Sequence, residues 1–148
     1  MKPVTVSTEV SKPRQEVFEY LDLLANHETY LKHMYVSWSF SGPARGVGAK
    51  GRARVSAPGS REFAQFEVVE SESPERSVEE TISSSGKRHT RGTYRLEELP
   101  QGGTRINFEL AWETVPKSER IFPPLSRAFL RRALSSAMRR LAKQLDSG

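Results

Sequence analysis

From Val36 to Thr114 apolar residues recur at every second position in one run after another, and each run ends in a break that contains Gly or Pro. A period of two is the signature of a strand with one buried face. The runs, near 36–40, 48–57, 61–71, 77–84, 88–99 and 103–114, are divided by Gly42-Pro43, Pro58-Gly59, Pro74, Gly86 and Pro100-Gln101-Gly102-Gly103. Connections this short join neighbouring strands as hairpins and leave no room for the helical crossovers of a parallel sheet. The segment therefore predicts an antiparallel meander. In its last run Ile106, Phe108, Leu110 and Trp112 share one face while Arg105, Asn107, Glu109 and Glu113 share the other, so one side of the sheet is core and the other is wet. Val36, Trp38 and Phe40 are expected on one face of the first run.

The flanks supply what the dry face needs. Val4, Val6 and Thr8 alternate with polar neighbours in a strand that ends near Val10. Ser11 then suits an N-cap and Pro13 a first helical turn, with Val17, Phe18 and Leu21 at helical spacing; Asp22 and Asn26 offer a second capped turn or short helix through about Tyr30. Beyond Pro116 and Pro123-Pro124 a helix of roughly twenty residues, about 30 Å long, is expected. Leu130, Leu134, Ala137, Met138, Leu141 and Leu145 fall in one arc of it, and Arg132, Arg139, Arg140 and Lys143 outside that arc. The expected fold is α+β: a curved antiparallel sheet wrapped around a long C-terminal helix, with two short helices after the first strand, in one domain over residues 1–148. At 148 residues the chain can bury a core unaided.

Cysteine is absent, which excludes disulfides, thiolate nucleophiles and thiolate-bound metals and fits a reducing compartment. No apolar run is long enough for a signal peptide or a membrane span, and a cytoplasmic location is the default expectation. The formal net charge of +5 directs attention to anionic partners. Near the C-terminus Arg120, Arg127, Arg131, Arg132, Arg139, Arg140 and Lys143 are opposed mainly by Glu119 and Asp146. The simplest reading is the solvated face of an amphipathic helix, with an anionic membrane surface as the alternative; nucleic acid is not expected.

Few motifs carry chemistry. Gly46-Val47-Gly48-Ala49-Lys50-Gly51 matches G-x-G-x-x-G, but it leads into the strand pattern Arg52-Ala53-Arg54-Val55 instead of opening a helix, which rules out dinucleotide binding. His27, His33 and His89 lack metal-ligand spacing and read as surface or helix-end residues, although His27 and His33 lie near Tyr30 and Tyr35 and can line a pocket mouth. No metal and no cofactor are expected. Ala49, Gly51 and Ala53 put small side chains on one strand face, either leaving volume for a ligand or admitting a close neighbour. Trp38, Phe40, Phe66, Tyr94, Phe108, Leu110 and Trp112 from the sheet, with Phe129, Leu130, Ala133 and Ala137 from the helix, are the candidate ligand-binding residues. Glu80 shares a phase with Val78 and Ile82: pointing inward it is a candidate acid or base, and if the strand is offset by one residue it is solvated. Tyr94 is the second candidate, its hydroxyl either orienting a ligand or tied off in the core.

The opening Val4-Thr5-Val6 with Ser11-Lys12-Pro13 and Val17-Phe18, then Gly46-Val47-Gly48, Phe66-Glu67-Val68-Val69-Glu70, Gly92-Thr93-Tyr94-Arg95-Leu96, Gly102-Gly103-Thr104-Arg105-Ile106 and the long final helix occur in an order that resembles the SRPBCC superfamily. That superfamily includes START-type lipid-binding and polyketide cyclase-like proteins with a helix-grip fold. The resemblance covers nearly the whole chain. It implies a cavity between the concave sheet and the last helix that takes an apolar or amphipathic, lipid- or polyketide-like molecule, and a cyclase or dehydratase as the alternative. Aromatic polyketide cyclases of this type often carry a Trp-Pro pair in the second short helix; here that stretch reads Asn26-His27-Glu28-Thr29-Tyr30. The resemblance therefore implies no fixed catalytic set.

Overall fold

The computed structural model describes residues 2–114 and 123–147, with the backbone alone for 123–126. Strand β1 (Val4–Val10) leads through helix α1 (Arg14–Asp22) and a 3₁₀ turn (Leu24–Asn26) into the single-turn helix α2 (His27–Tyr30). Strands β2 (Tyr35–Ser41), β3 (Lys50–Val55), β4 (Phe63–Glu72), β5 (Arg76–Ser83), β6 (His89–Glu98) and β7 (Thr104–Thr114) follow, and helix α3 (Pro123–Ser147) closes the chain. The seven strands form one antiparallel sheet in the order β1-β7-β6-β5-β4-β3-β2. The meander, the two short helices and the long terminal helix agree with the pattern of the sequence. Pro116, Glu119 and Arg120 lie outside the described residues.

Register fixes which side chains share a face. Val6 pairs with Phe108, Phe108 with Tyr94, Tyr94 with Ser77, and Gly92 with Glu79. Phe66 pairs with Thr81 and with Gly51, and Gly51 with Phe40. These residues form the inner face, over which α3 lies with Leu134, Ala137, Met138 and Leu141 buried against Tyr30, Ile106 and Phe108 in one core cluster. Leu141 is wholly buried, a contribution of roughly 2–3 kcal/mol for its side chain.

Two local features depart from the simple reading. Ser11 does not cap α1, which starts behind Pro13 without a side-chain cap; its amide and hydroxyl both donate to Asp146 Oδ1, at 3.0 and 2.8 Å, and so fasten the end of α3 to the end of β1. In β2 an extra residue falls between Val36 and Ser39, with Ser37 at φ 58°. A bulge of this kind re-aims the side chains beside it. Tyr35, not Val36, therefore joins Trp38 and Phe40 on the inner side, while Val36 pairs with Arg54, whose side chain is exposed.

At the other edge β1 has no strand neighbour beyond it among the described residues. Arg127 donates to the carbonyls of Lys2 and Pro3, and Arg131 to that of Thr5, so α3 occupies the free carbonyls of this edge. No helix among the described residues is long and apolar enough to cross a membrane.

Candidate functional site

The interior carries a band of polar groups that the hydrophobic pattern did not announce. His27, on α2, and Glu79, on the inner face of β5, are both buried, and His27 Nε2 stands 3.0 Å from Glu79 Oε2. A carboxylate only accepts, so the ring donates from Nε2. His27 Nδ1 is then left buried without a partner. One turn along, Tyr30 shares a hydrogen bond with Tyr94 across the interior, oxygen to oxygen 2.9 Å, and both rings flank the imidazole. Burial, chiefly, and the nearby Glu79 charge hold both phenols well above the ordinary tyrosine value; for Tyr30 the mutual influence of Tyr94 ranks second. The two therefore act as neutral hydroxyls at physiological pH.

An aromatic wall continues the band toward β2. Tyr35 meets Phe66 edge-on at 5.1 Å, and Trp38 stacks between Phe66 and Phe40 at 5.0 and 5.7 Å. Burial and, after it, Glu79 push the Tyr35 phenol up to about 12, while Arg88 opposes them. Trp38 Nε1 and His33 Nδ1, like His27 Nδ1, are buried without a hydrogen-bond partner among the described residues. The other nitrogen of His33 donates to the carbonyl of Ala133 at 2.8 Å, tying the segment after α2 to α3. A buried polar group left unpaired costs about 1–3 kcal/mol. With the proton on Nε2 in both histidines, His27 Nδ1 and His33 Nδ1 accept while Trp38 Nε1–H donates, so a bound molecule carrying hydroxyl and carbonyl groups, or water, gains hydrogen bonds here.

The structure places the sequence candidates unevenly. Trp38, Phe66, Tyr94, Phe108 and Ala137 face the interior, and Leu110, Trp112 and Leu130 pack against its core. Phe40 stacks on Trp38 at the rim and is 41 % exposed. Ala133 is partly buried and serves through its carbonyl. Phe129 is corrected: it is 77 % exposed and turned away from the sheet. For Glu80 the second alternative holds and the role of inward acid or base is corrected, since the strand is offset by one from the phase that would turn it inward. It pairs with Arg91 and lies on the outer face near Arg91 Nη1 and His89 Nε2, each at 3.6 Å, and the inward carboxylate is Glu79. His27 stands at a helix end, as one of the two sequence readings has it, but it is buried and not at the surface.

On the inner side of β3 the small residues admit close neighbours. A Cβ on Gly51 would meet Leu24 and Phe40 at 3.4 Å, so close neighbours already fill that side. Two hollows open at the surface of the described residues, not between the sheet and α3. One, of about 350 Å³, runs across β2 to β5 and is lined by Phe40, Gly51 and Phe66 together with outward residues such as Lys50, Arg52, Glu67 and Glu80; the other, of about 520 Å³, flanks α3 at Arg127, Arg131 and Ser135. Between α3 and the sheet, side chains meet.

Gly92 shows how closely. It pairs with Glu79 on one side and Leu110 on the other, and a Cβ there would sit 2.9 Å from the Phe108 ring, which itself lies 4.6 Å from that of Tyr94. Gly92→Ala should destabilise the fold by about 1–3 kcal/mol in urea denaturation, the range for overpacking a core. Phe108→Leu in the same background should recover part of the loss.

The family profile for polyketide cyclase / dehydrase and lipid transport matches residues 1–147. The chain belongs to that family. Hydrophobic-ligand binding or polyketide cyclisation is what membership implies. No protein of curated function matches. Solved structures agree on the fold. A conserved protein from Geobacillus kaustophilus is 14% identical with a TM-score of 0.78, over 99% of this chain and 96% of that one. TTHA0849 from Thermus thermophilus is 18% identical with a TM-score of 0.75, over 97% of both chains. Major latex-like protein 151 from Panax ginseng is only 10% identical, yet it superposes with a TM-score of 0.72 over 97% of both chains. Identities this low establish the family's architecture and leave the site to be read from this chain's own residues.

Proposed function

We propose that this family member binds an apolar molecule bearing oxygen functions, lipid- or polyketide-like, between the inner sheet face and α3. The observation that carries the reading is the set of unpartnered buried nitrogens, His27 Nδ1, Trp38 Nε1 and His33 Nδ1, together with the Tyr30–Tyr94 hydroxyl pair that flanks His27. A site that only filled space would bury hydrocarbon here. Apolar walls with a few placed polar groups are the usual composition of a small-molecule site. Binding requires side chains to give way, and Met138, an unbranched residue on the buried face of α3, is suited to repack.

The test is a panel of fatty acids, sterols and aromatic polyketides, screened by native mass spectrometry and titrated through tryptophan fluorescence. Tyr30→Phe/Tyr94→Phe should weaken binding of hydroxylated or keto ligands by about ten-fold or more, the value of one to two hydrogen bonds, and leave pure hydrocarbons unaffected. Failure of every compound to bind contradicts the proposal.

The His27–Glu79 pair supports a second reading, an enzyme of the cyclase or dehydratase type. An imidazole oriented by a buried carboxylate is a general-base arrangement, with His27 Nδ1 free to take a proton and the tyrosines placed to donate to a developing oxyanion. Loss of water from a bound polyketone, followed by mass spectrometry and abolished by His27→Gln, supports it; intact recovery of every bound ligand favours carriage alone.

A further inference from the structure

On α3 the residues Phe129, Arg132, Arg140 and Lys143 recur at spacings of three, eight and three, which places them in one stripe along a helix of 3.6 residues per turn. All are exposed, and Phe129 is 77 % exposed. Arg139 borders the stripe and is exposed too. Unlike Arg127 and Arg131, which are spent on the carbonyls of β1 and the residues before it, these four cations have no acidic partner among the described residues. The one acid on this stretch of helix, Asp146, accepts from Ser11. A large aromatic side chain held open to solvent beside four exposed cations is the composition of a surface that meets anionic lipid headgroups and inserts a ring below them.

We propose that this face of α3 docks on an anionic membrane, with Phe129 inserted and Arg132, Arg139, Arg140 and Lys143 on the headgroups. The docking extends the ligand-binding reading by supplying the place where an apolar ligand is exchanged, and rests on that reading only in this respect. Each cation near such a surface contributes about a five-fold gain in affinity. The buried ring contributes about ten-fold.

Co-sedimentation with phosphatidylcholine vesicles, with and without phosphatidylglycerol, tests it at about 0.05 M and about 0.5 M salt. Binding should require phosphatidylglycerol, fall at least ten-fold at the higher salt, drop about ten-fold in Phe129→Ala and disappear in Arg132→Glu/Arg140→Glu/Lys143→Glu. Equal binding to neutral vesicles, indifference to these substitutions, or binding to RNA in place of vesicles overturns the proposal. Tyr30→Phe/Tyr94→Phe should dock like the wild type while binding its oxygenated soluble ligand about ten-fold more weakly, and Phe129→Ala should do the reverse. A failed interior site and a failed docking face are thereby told apart.

Discussion

Glu79→Ala should lower the stability of the fold by about 1–3 kcal/mol, the cost of leaving a buried donor without its acceptor. The side chains of His27 and Glu79 are 2% and 8% exposed, so neither can turn to water when the other is gone. The alanine variant leaves His27 Nε2–H without an acceptor in the interior, beside an Nδ1 that already has no partner. Replacing both residues by leucine should restore much of the stability, because the desolvation penalty leaves with the polar groups. Urea denaturation of His27→Leu, Glu79→Leu and the double variant gives the coupling energy directly. A loss below about 1 kcal/mol for Glu79→Ala, the range of exposed pairs, would mean that water reaches the pair.

Alkali should unfold the protein abruptly. Tyr30 and Tyr94 are raised well above the ordinary value of 10.0 and Tyr35 to about 12, burial being the largest cause in each. The unfolded chain gives up these protons near pH 10, whereas the native interior holds them. Below pH 10 their contribution to stability is therefore fully present, and above it each phenol withdraws about 1.4 kcal/mol per pH unit until its native value is reached. Three phenols acting together remove about 4 kcal/mol per unit, against a total of about 5–15 kcal/mol for a domain. Phenolate absorbance should then rise together with the loss of far-ultraviolet circular dichroism. Phenols that titrate near pH 10 with the dichroism intact would show that water enters the interior freely.

Much of the architecture was legible because it depends on period and punctuation. The alternation in β1 and β7, the Gly and Pro breaks between hairpins and the apolar arc of α3 are local signals, and antiparallel pairing follows from short connections. The site was less legible, since its members are set by register. A one-residue offset exchanges the faces of a strand. Glu79, not Glu80, faces inward because it pairs with Gly92, next to Tyr94 on the same face, a relation that neither strand displays alone. Likewise the extra residue at Ser37 brings Tyr35 to the inner side in place of Val36.

His27 illustrates a different limit. A histidine on a single-turn helix with polar neighbours carries no burial pattern, and only the meeting of α2 with α3 and β5 encloses it. Its sole signal in the sequence is the three-residue separation from Tyr30, which puts both rings on one side of a turn. Phe129 differs in the opposite sense: an apolar residue next to the apolar arc reads as a member of it, and the helix turns it outward.

Both functional readings depend on the polar band being a place that a ligand completes. With three histidines and two tryptophans, ¹⁵N-labelled protein gives imidazole and indole spectra simple enough to assign by single substitutions. On saturation with the tightest compound of the panel, the Nδ1 resonance of His27 and the indole Nε1–H of Trp38 should both move to hydrogen-bonded positions. A ligand that binds stoichiometrically while both resonances stay where they were would contradict the account.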